Sequence, residues 1–87
     1  MRDIKELIGI TMRVLDGVEI TEDDVLQLDF EADGELLAAL NETYIKLLEF
    51  VHDRDARRTN VTLDAKERAD LQASLHKIVR LCDVSPS

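Results

Sequence analysis

Hydrophobic positions recur at helical spacing along most of this chain. Between Leu36 and Arg58, residues Leu37, Leu40, Tyr44, Leu47 and Val51 alternate steps of three and four, which places them on one helix face. With Leu36, Leu48 and Phe50 the apolar arc widens to roughly 160°, enough to touch two neighbouring helices. Asn41, Glu42, Lys46, Glu49, His52 and Asp53 fall on the opposite, wet side. No Gly or Pro interrupts the run, and Arg54, Arg57 and Arg58 complement the negative end of a helix dipole. The pattern predicts a central helix over 36–58.

Residues Asp3 to Asp16 predict a first helix through Ile4, Leu7, Ile8, Thr11, Val14 and Leu15, with Gly17 suited to the left-handed position past its end. Adding Ile10 and Met12 broadens its apolar arc to roughly 200°, more than one helix partner covers. Downstream, Thr59-Asn60-Val61 reads as a turn with Asn60 left-handed, and Thr62 as the N-cap of a last helix reaching Leu81 or Cys82. Asp64 and Glu67 put negative charge in its first turn, and Leu71, Leu75, Ile78, Val79 and Cys82 make a stripe of roughly 100°. Thr21 followed by Asp24 resembles a capping box and predicts a short helix at about 22–28. A strand is the competing expectation there, because Leu26, Leu28 and Phe30 alternate with polar residues. The expected fold is all-α: a small antiparallel, up-down-up three-helix bundle with an additional short helix between its first two helices. Residues 1–83 form one helical domain and 84–87 a frayed tail.

Composition adds a constraint on stability. The chain has 87 residues and 45% hydrophobic content but only 3% aromatics, so its core must be aliphatic. A chain of this length buries only about 60–65% of its unfolded surface. Such a thin core favours association. Surplus apolar residues on the first helix (Leu7, Ile10, Met12, Val14) and Ile45 on the back of the central helix predict a two-fold homodimer interface. Cys82 is the single cysteine, which rules out an intramolecular disulfide and a Cys-based metal site; it lies in line with Leu71, Leu75 and Ile78 as a small core residue. No leader pattern opens the sequence and no apolar run approaches the ~18 residues of a membrane span. The expectation is a cytoplasmic protein with no membrane partner.

Charge is distributed unevenly. Of nineteen acidic residues ten lie between Arg13 and Lys46, a stretch with no Lys or Arg, and the net charge is −8. Such a segment repels phosphate backbones, which argues against direct nucleic-acid binding, and attracts a basic protein partner. Its candidate contact residues are Glu19, Glu22, Asp23, Asp24, Asp29 and Glu31. The competing reading is solubility alone.

Asp29-Phe30-Glu31-Ala32-Asp33-Gly34-Glu35-Leu36 resembles the start of an EF-hand calcium loop, with acids at loop positions 1, 3 and 5 and Gly at 6. Position 12, where that loop places a bidentate Glu, is Leu40. The resemblance implies at most a weak divalent-cation site on Asp29, Glu31 and Asp33. Acyl carrier proteins are also small, acidic and helical, but the stretch matching their Asp-Ser-Leu attachment motif is Asp33-Gly34-Glu35-Leu36, which has no hydroxyl. His52 and His76 fall on wet faces with no nucleophile or phosphotransfer motif beside them. The expected function is therefore a non-enzymatic interaction or regulatory module without a cofactor. Two rivals are a divalent-cation sensor and an enzyme subunit whose active site forms between chains.

Overall fold

The structure is a computed structural model that describes residues 3–29 and 32–83. Five helices follow one another: α1 (Asp3–Leu15), α2 (Glu22–Leu26), α3 (Gly34–His52), α4 (Arg54–Thr59) and α5 (Val61–Asp83). No strand occurs among the described residues, so the fold is all-α. The short helix expected at about 22–28 forms over Glu22–Leu26, and the strand expected from the alternation of Leu26, Leu28 and Phe30 does not form among the described residues; the first turn of the helix is capped. The Thr21 hydroxyl accepts from the Asp24 N–H at 3.2 Å, and the Asp24 carboxylate accepts from the Thr21 N–H at 2.9 Å. Phe30, the last residue of the alternating pattern, and residues 84–87, the expected tail, lie outside the described residues.

The core forms where α1, α3 and α5 meet. Leu7, Ile10 and Val14 of α1, Leu40, Leu47 and Phe50 of α3, and Leu71 and Ile78 of α5 are buried together with Val25 of α2. Two threonines share this interior at no hydrogen-bonding cost. Thr11 donates to the Leu7 carbonyl at 2.8 Å and Thr43 to the Ala39 carbonyl at 2.9 Å, each one turn back along its own helix. The broad apolar arc of α1 is used internally, because α1 packs against both α3 and α5. Leu7, Ile10 and Val14, expected in a dimer interface, are thus 0%, 3% and 1% exposed within a single chain.

The path between α1 and α3 departs from up-down-up alternation. The Val14 carbonyl, at the end of α1, accepts from Arg68 near the start of α5, and Phe50, at the end of α3, packs against the same Arg68. α1 and α3 therefore end at the same pole of the molecule, where α5 begins. Glu19 and Glu22 are tied to Arg54 and His52 at that pole. The chain must then return to Gly34, the length of a 19-residue helix away, or about 28 Å. The connecting stretch with α2 in it is this return crossover, flanked by Gly17 at φ 96° and Gly34 at φ 62°, left-handed conformations in which a Cβ would be strained.

The central helix is not continuous to Arg58 as its apolar pattern predicts. It ends at His52, and α4 restarts after Asp53, whose φ and ψ are −89° and 13°. No Gly or Pro causes the break. The Phe50 carbonyl, one of the four without a helical partner at the end of α3, accepts from both Nε and Nη2 of Arg57, at 3.1 and 2.7 Å. The same guanidinium lies 3.4 Å from the centre of the Phe50 ring and donates to Asp64 on α5 at 3.1 Å. After the second turn, Asn60 and not Thr62 caps α5: its side chain accepts from the Leu63 N–H at 3.0 Å. Asn60 is extended, at φ −135°, and not left-handed.

Arg57 joins α3, α4 and α5 with a side chain only 12% exposed. Arg57→Ala leaves the Phe50 carbonyl and one side of Asp64 without a donor, and lowers stability by about 3 kcal/mol in urea denaturation. Arg57→Lys recovers little of that, because an ammonium cannot stack on Phe50 while presenting paired donors to its carbonyl. Arg68→Ala, at a more exposed guanidinium, costs less than half as much.

Candidate functional site

The acidic segment lies mainly on the return crossover. Glu19, Glu22, Asp23, Asp24 and Asp29 are all exposed; Glu31 lies outside the described residues. Their electrostatics differ from what the local sequence implies, because bases from elsewhere fold onto them. Arg54 pairs with Glu19 at 2.8 Å and His52 with Glu22 at 3.0 Å. Asp24 is occupied in the α2 capping box. Asp23 and Asp29 have no ion pair among the described residues. Arg54 and His52 belong to a mixed-charge run, 35 and 30 residues downstream of the acids they meet, and the shared pole of α1 and α3 brings them here.

The calcium-loop resemblance meets a clear obstacle at its twelfth position. Leu40 is 0% exposed and packs in the core, so no side chain at that point of α3 faces the loop. Asp29 and Asp33 are exposed. No group of three His, Cys, Asp or Glu side chains converges among the described residues. Cys82 is half-buried and His76 exposed.

Of the residues expected at a dimer interface, only Met12 and Ile45 remain on the surface, at 52% and 54% exposure. Each stands on the side of its helix opposite the buried positions, Leu7 and Leu47 respectively. No helix among the described residues is long and apolar enough to cross a membrane.

Sequence reasoning missed the basic pole. A cleft of about 150 Å³ opens there, lined by Arg54, Arg57, Arg58 and Arg68, with Glu19 as its one acidic lining residue. The Arg57 and Arg68 heads are held from behind by Asp64, which meets them at 3.1 and 3.0 Å. Burial works to raise the Asp64 pKa, but hydrogen bonds from Arg68 and Arg57 outweigh it and hold the carboxyl below its usual range. Glu67 is placed less favourably. One of its carboxylate oxygens is buried without a hydrogen bond, and Arg57 Nε stands 3.5 Å away. Burial, followed by the hydrogen bond and charge of Asp53 and the charge of Glu49, pushes its pKa up to about 7, with Arg57 opposing. The only sequence signal for this pole was the arginine trio at 54–58, whose role as a helix-end complement holds for Arg57 through its bonds to the Phe50 carbonyl.

Compared with known proteins, the chain matches no protein-family model, no curated protein and no solved structure.

Glu67 and Asp64 give opposite pH dependences. Asp64, with its lowered pKa, stabilises the fold above the unfolded value, and this is lost as pH falls through the folded one. Glu67, with a folded pKa near 7 against an ordinary 4.5, binds its proton more tightly when folded, so its ionisation erodes stability as pH rises through that interval. Glu67→Gln therefore stabilises the protein by about 2 kcal/mol at pH 8 and by little at pH 5, where the native side chain is already protonated. Melting curves of the two proteins across that range check the sign. A gain from Glu67→Gln as large at pH 5 as at pH 8 would contradict the assignment.

Proposed function

We propose that this protein is a non-enzymatic interaction module, acting as a homodimer of α1–α3–α5 bundles in the cytoplasm, that docks a basic protein partner on its acidic crossover. The observation that carries the reading is the placement of the acids. Glu19, Glu22, Asp23, Asp24 and Asp29 stand exposed on a connection that spans the length of α3, instead of being scattered over the surface as solubility alone requires. The pairs Glu19–Arg54 and Glu22–His52 are each about half exposed or more. Such pairs contribute little to stability, about 0–1 kcal/mol, so exchanging their bases for those of a partner costs little. Complementary fields then accelerate encounter and make it sensitive to salt. The dimer rests on Met12 and Ile45, large apolar side chains left on outward helix faces of a small core.

Charge reversal separates docking from solubility. Glu22→Lys/Asp23→Lys/Asp29→Lys, which spares the capping residue Asp24, abolishes capture of a basic partner from lysate, whereas Asp55→Lys/Asp70→Lys leaves it intact. Retained capture by the first variant and loss by the second would transfer the binding face from the crossover to α4 and α5. For the dimer, light scattering at tens of micromolar gives twice the 9.9 kDa chain mass, and Met12→Asp/Ile45→Asp reduces it to a monomer without lowering helix content. A 9.9 kDa particle from the unaltered chain refutes the dimer.

A further inference from the structure

The cleft at the basic pole combines apolar lining residues with four guanidinium groups against one carboxylate, on a chain of net charge −8. Between its arginines the cleft is lined by Val14, Val18, Ile20, Phe50 and Val51, of which Val18, Ile20 and Val51 are the more accessible. Its volume of about 150 Å³ is that of a cavity that accepts a benzene ring. The arginines around it are not equally engaged. Arg57 is fully used, bonding the Phe50 carbonyl and Asp64 and pairing with Glu67. Arg68 uses Nε and one terminal nitrogen for Asp64 and Val14, leaving Nη2 free. Arg54 spends one terminal nitrogen on Glu19. Arg58 is exposed and has no partner among the described residues.

The carbonyl ends of α1 and α3, which would otherwise repel an anion at this pole, are already covered here. Arg68 takes the Val14 carbonyl and Arg57 the Phe50 carbonyl. Donors at Arg54, Arg58 and Arg68 thus remain around an apolar lining, a pattern that fits a planar carboxylate on a compact apolar body. Guanidinium groups present paired donors that match a carboxylate, and the lining takes an aryl or branched alkyl group.

We propose that the cleft between the ends of α1, α3 and the start of α5 is a binding site for a small apolar carboxylate, with Arg58 and Arg54 holding the anion and Val18, Ile20 and Val51 its apolar body. Glu19 is a built-in competitor: it occupies one face of Arg54 and must yield it as the ligand carboxylate arrives. The cleft adjoins the exposed acids that dock a basic partner and shares Glu19, with its pair to Arg54, with them; the carboxylate site itself does not rest on that docking.

The test uses phenylacetate as probe and methyl NMR of the full chain as readout. Phenylacetate shifts the Val18, Ile20 and Val51 methyl resonances saturably in the millimolar range, while benzyl alcohol and inorganic phosphate, each carrying one half of the recognition, bind several-fold more weakly. Arg58→Ala, at an exposed side chain that the fold does not use, weakens phenylacetate by about fivefold. Glu19→Gln strengthens it by releasing Arg54, a gain that damage to the fold would not produce. No saturable shift up to 10 mM probe refutes the site. So does equal binding of phenylacetate and benzyl alcohol, binding of phosphate as tight as phenylacetate, or indifference to both Arg58→Ala and Glu19→Gln.

Discussion

The architecture depends on one guanidinium having been given several tasks at once. Arg57, on α4, covers the orphan carbonyl of Phe50 on α3, stacks on the same residue's ring and pairs with Asp64 on α5. Each bond fixes a different element, so the direction of α4, the start of α5 and the seat of Phe50 are set together. Burying an arginine head is unfavourable unless its donors are satisfied; here they are, which turns a desolvation cost into a geometric constraint. Arg68 repeats the arrangement at the edge of the same cluster and extends it to α1 through the Val14 carbonyl. A small aliphatic core with few aromatics has limited means to specify one packing. The polar cluster at this pole adds directional bonds between α3, α4, α5 and α1 that the leucines cannot make.

The same pole organises the charge of the surface. Glu19 and Glu22 begin an acidic connection at the point where Arg54 and His52 emerge, so the crossover is pinned at its start, while Asp23 and Asp29 have no ion pair among the described residues. Guanidinium groups and carboxylates are thus interleaved at this pole, Arg54 with Glu19 and both Arg57 and Arg68 with Asp64.

Much of the helical content was legible because periodicity reports it directly. Leu7, Val14, Leu40, Leu47, Leu71 and Ile78, all picked out by their spacing, are the buried positions of their helices. Gly17 and the Thr21–Asp24 pair were legible for the same reason: their roles are local. The break at Asp53 was not, since a side chain reaching seven residues back to a carbonyl leaves no mark on hydrophobic pattern. Nor was the direction of α3 relative to α1, because a connection of this length permits either sense. Counting acids between Arg13 and Lys46 overstated the isolation of the acidic segment, as opposite charges thirty residues distant in sequence arrive in space. How much of the broad apolar face of α1 its own chain covers was not legible either, because the number of helices that α1 touches is a tertiary quantity.

The bond from Arg68 to the Val14 carbonyl joins residues 54 positions apart, and its length along the chain has a kinetic consequence. The α3–α4–α5 hairpin closes through near-neighbour contacts such as Arg57 with Phe50 and Asp64, each seven residues apart, whereas α1 docks only after the crossover has folded back. Short loops close at lower entropic cost than long ones. On this ground the hairpin is expected to be the slower-exchanging unit, and α1 with its crossover the part that opens first in the native state. Any surface carried by that crossover is then tied to the most labile unit of the molecule, so occupancy there would register as protection of α1 amides far from the contact itself.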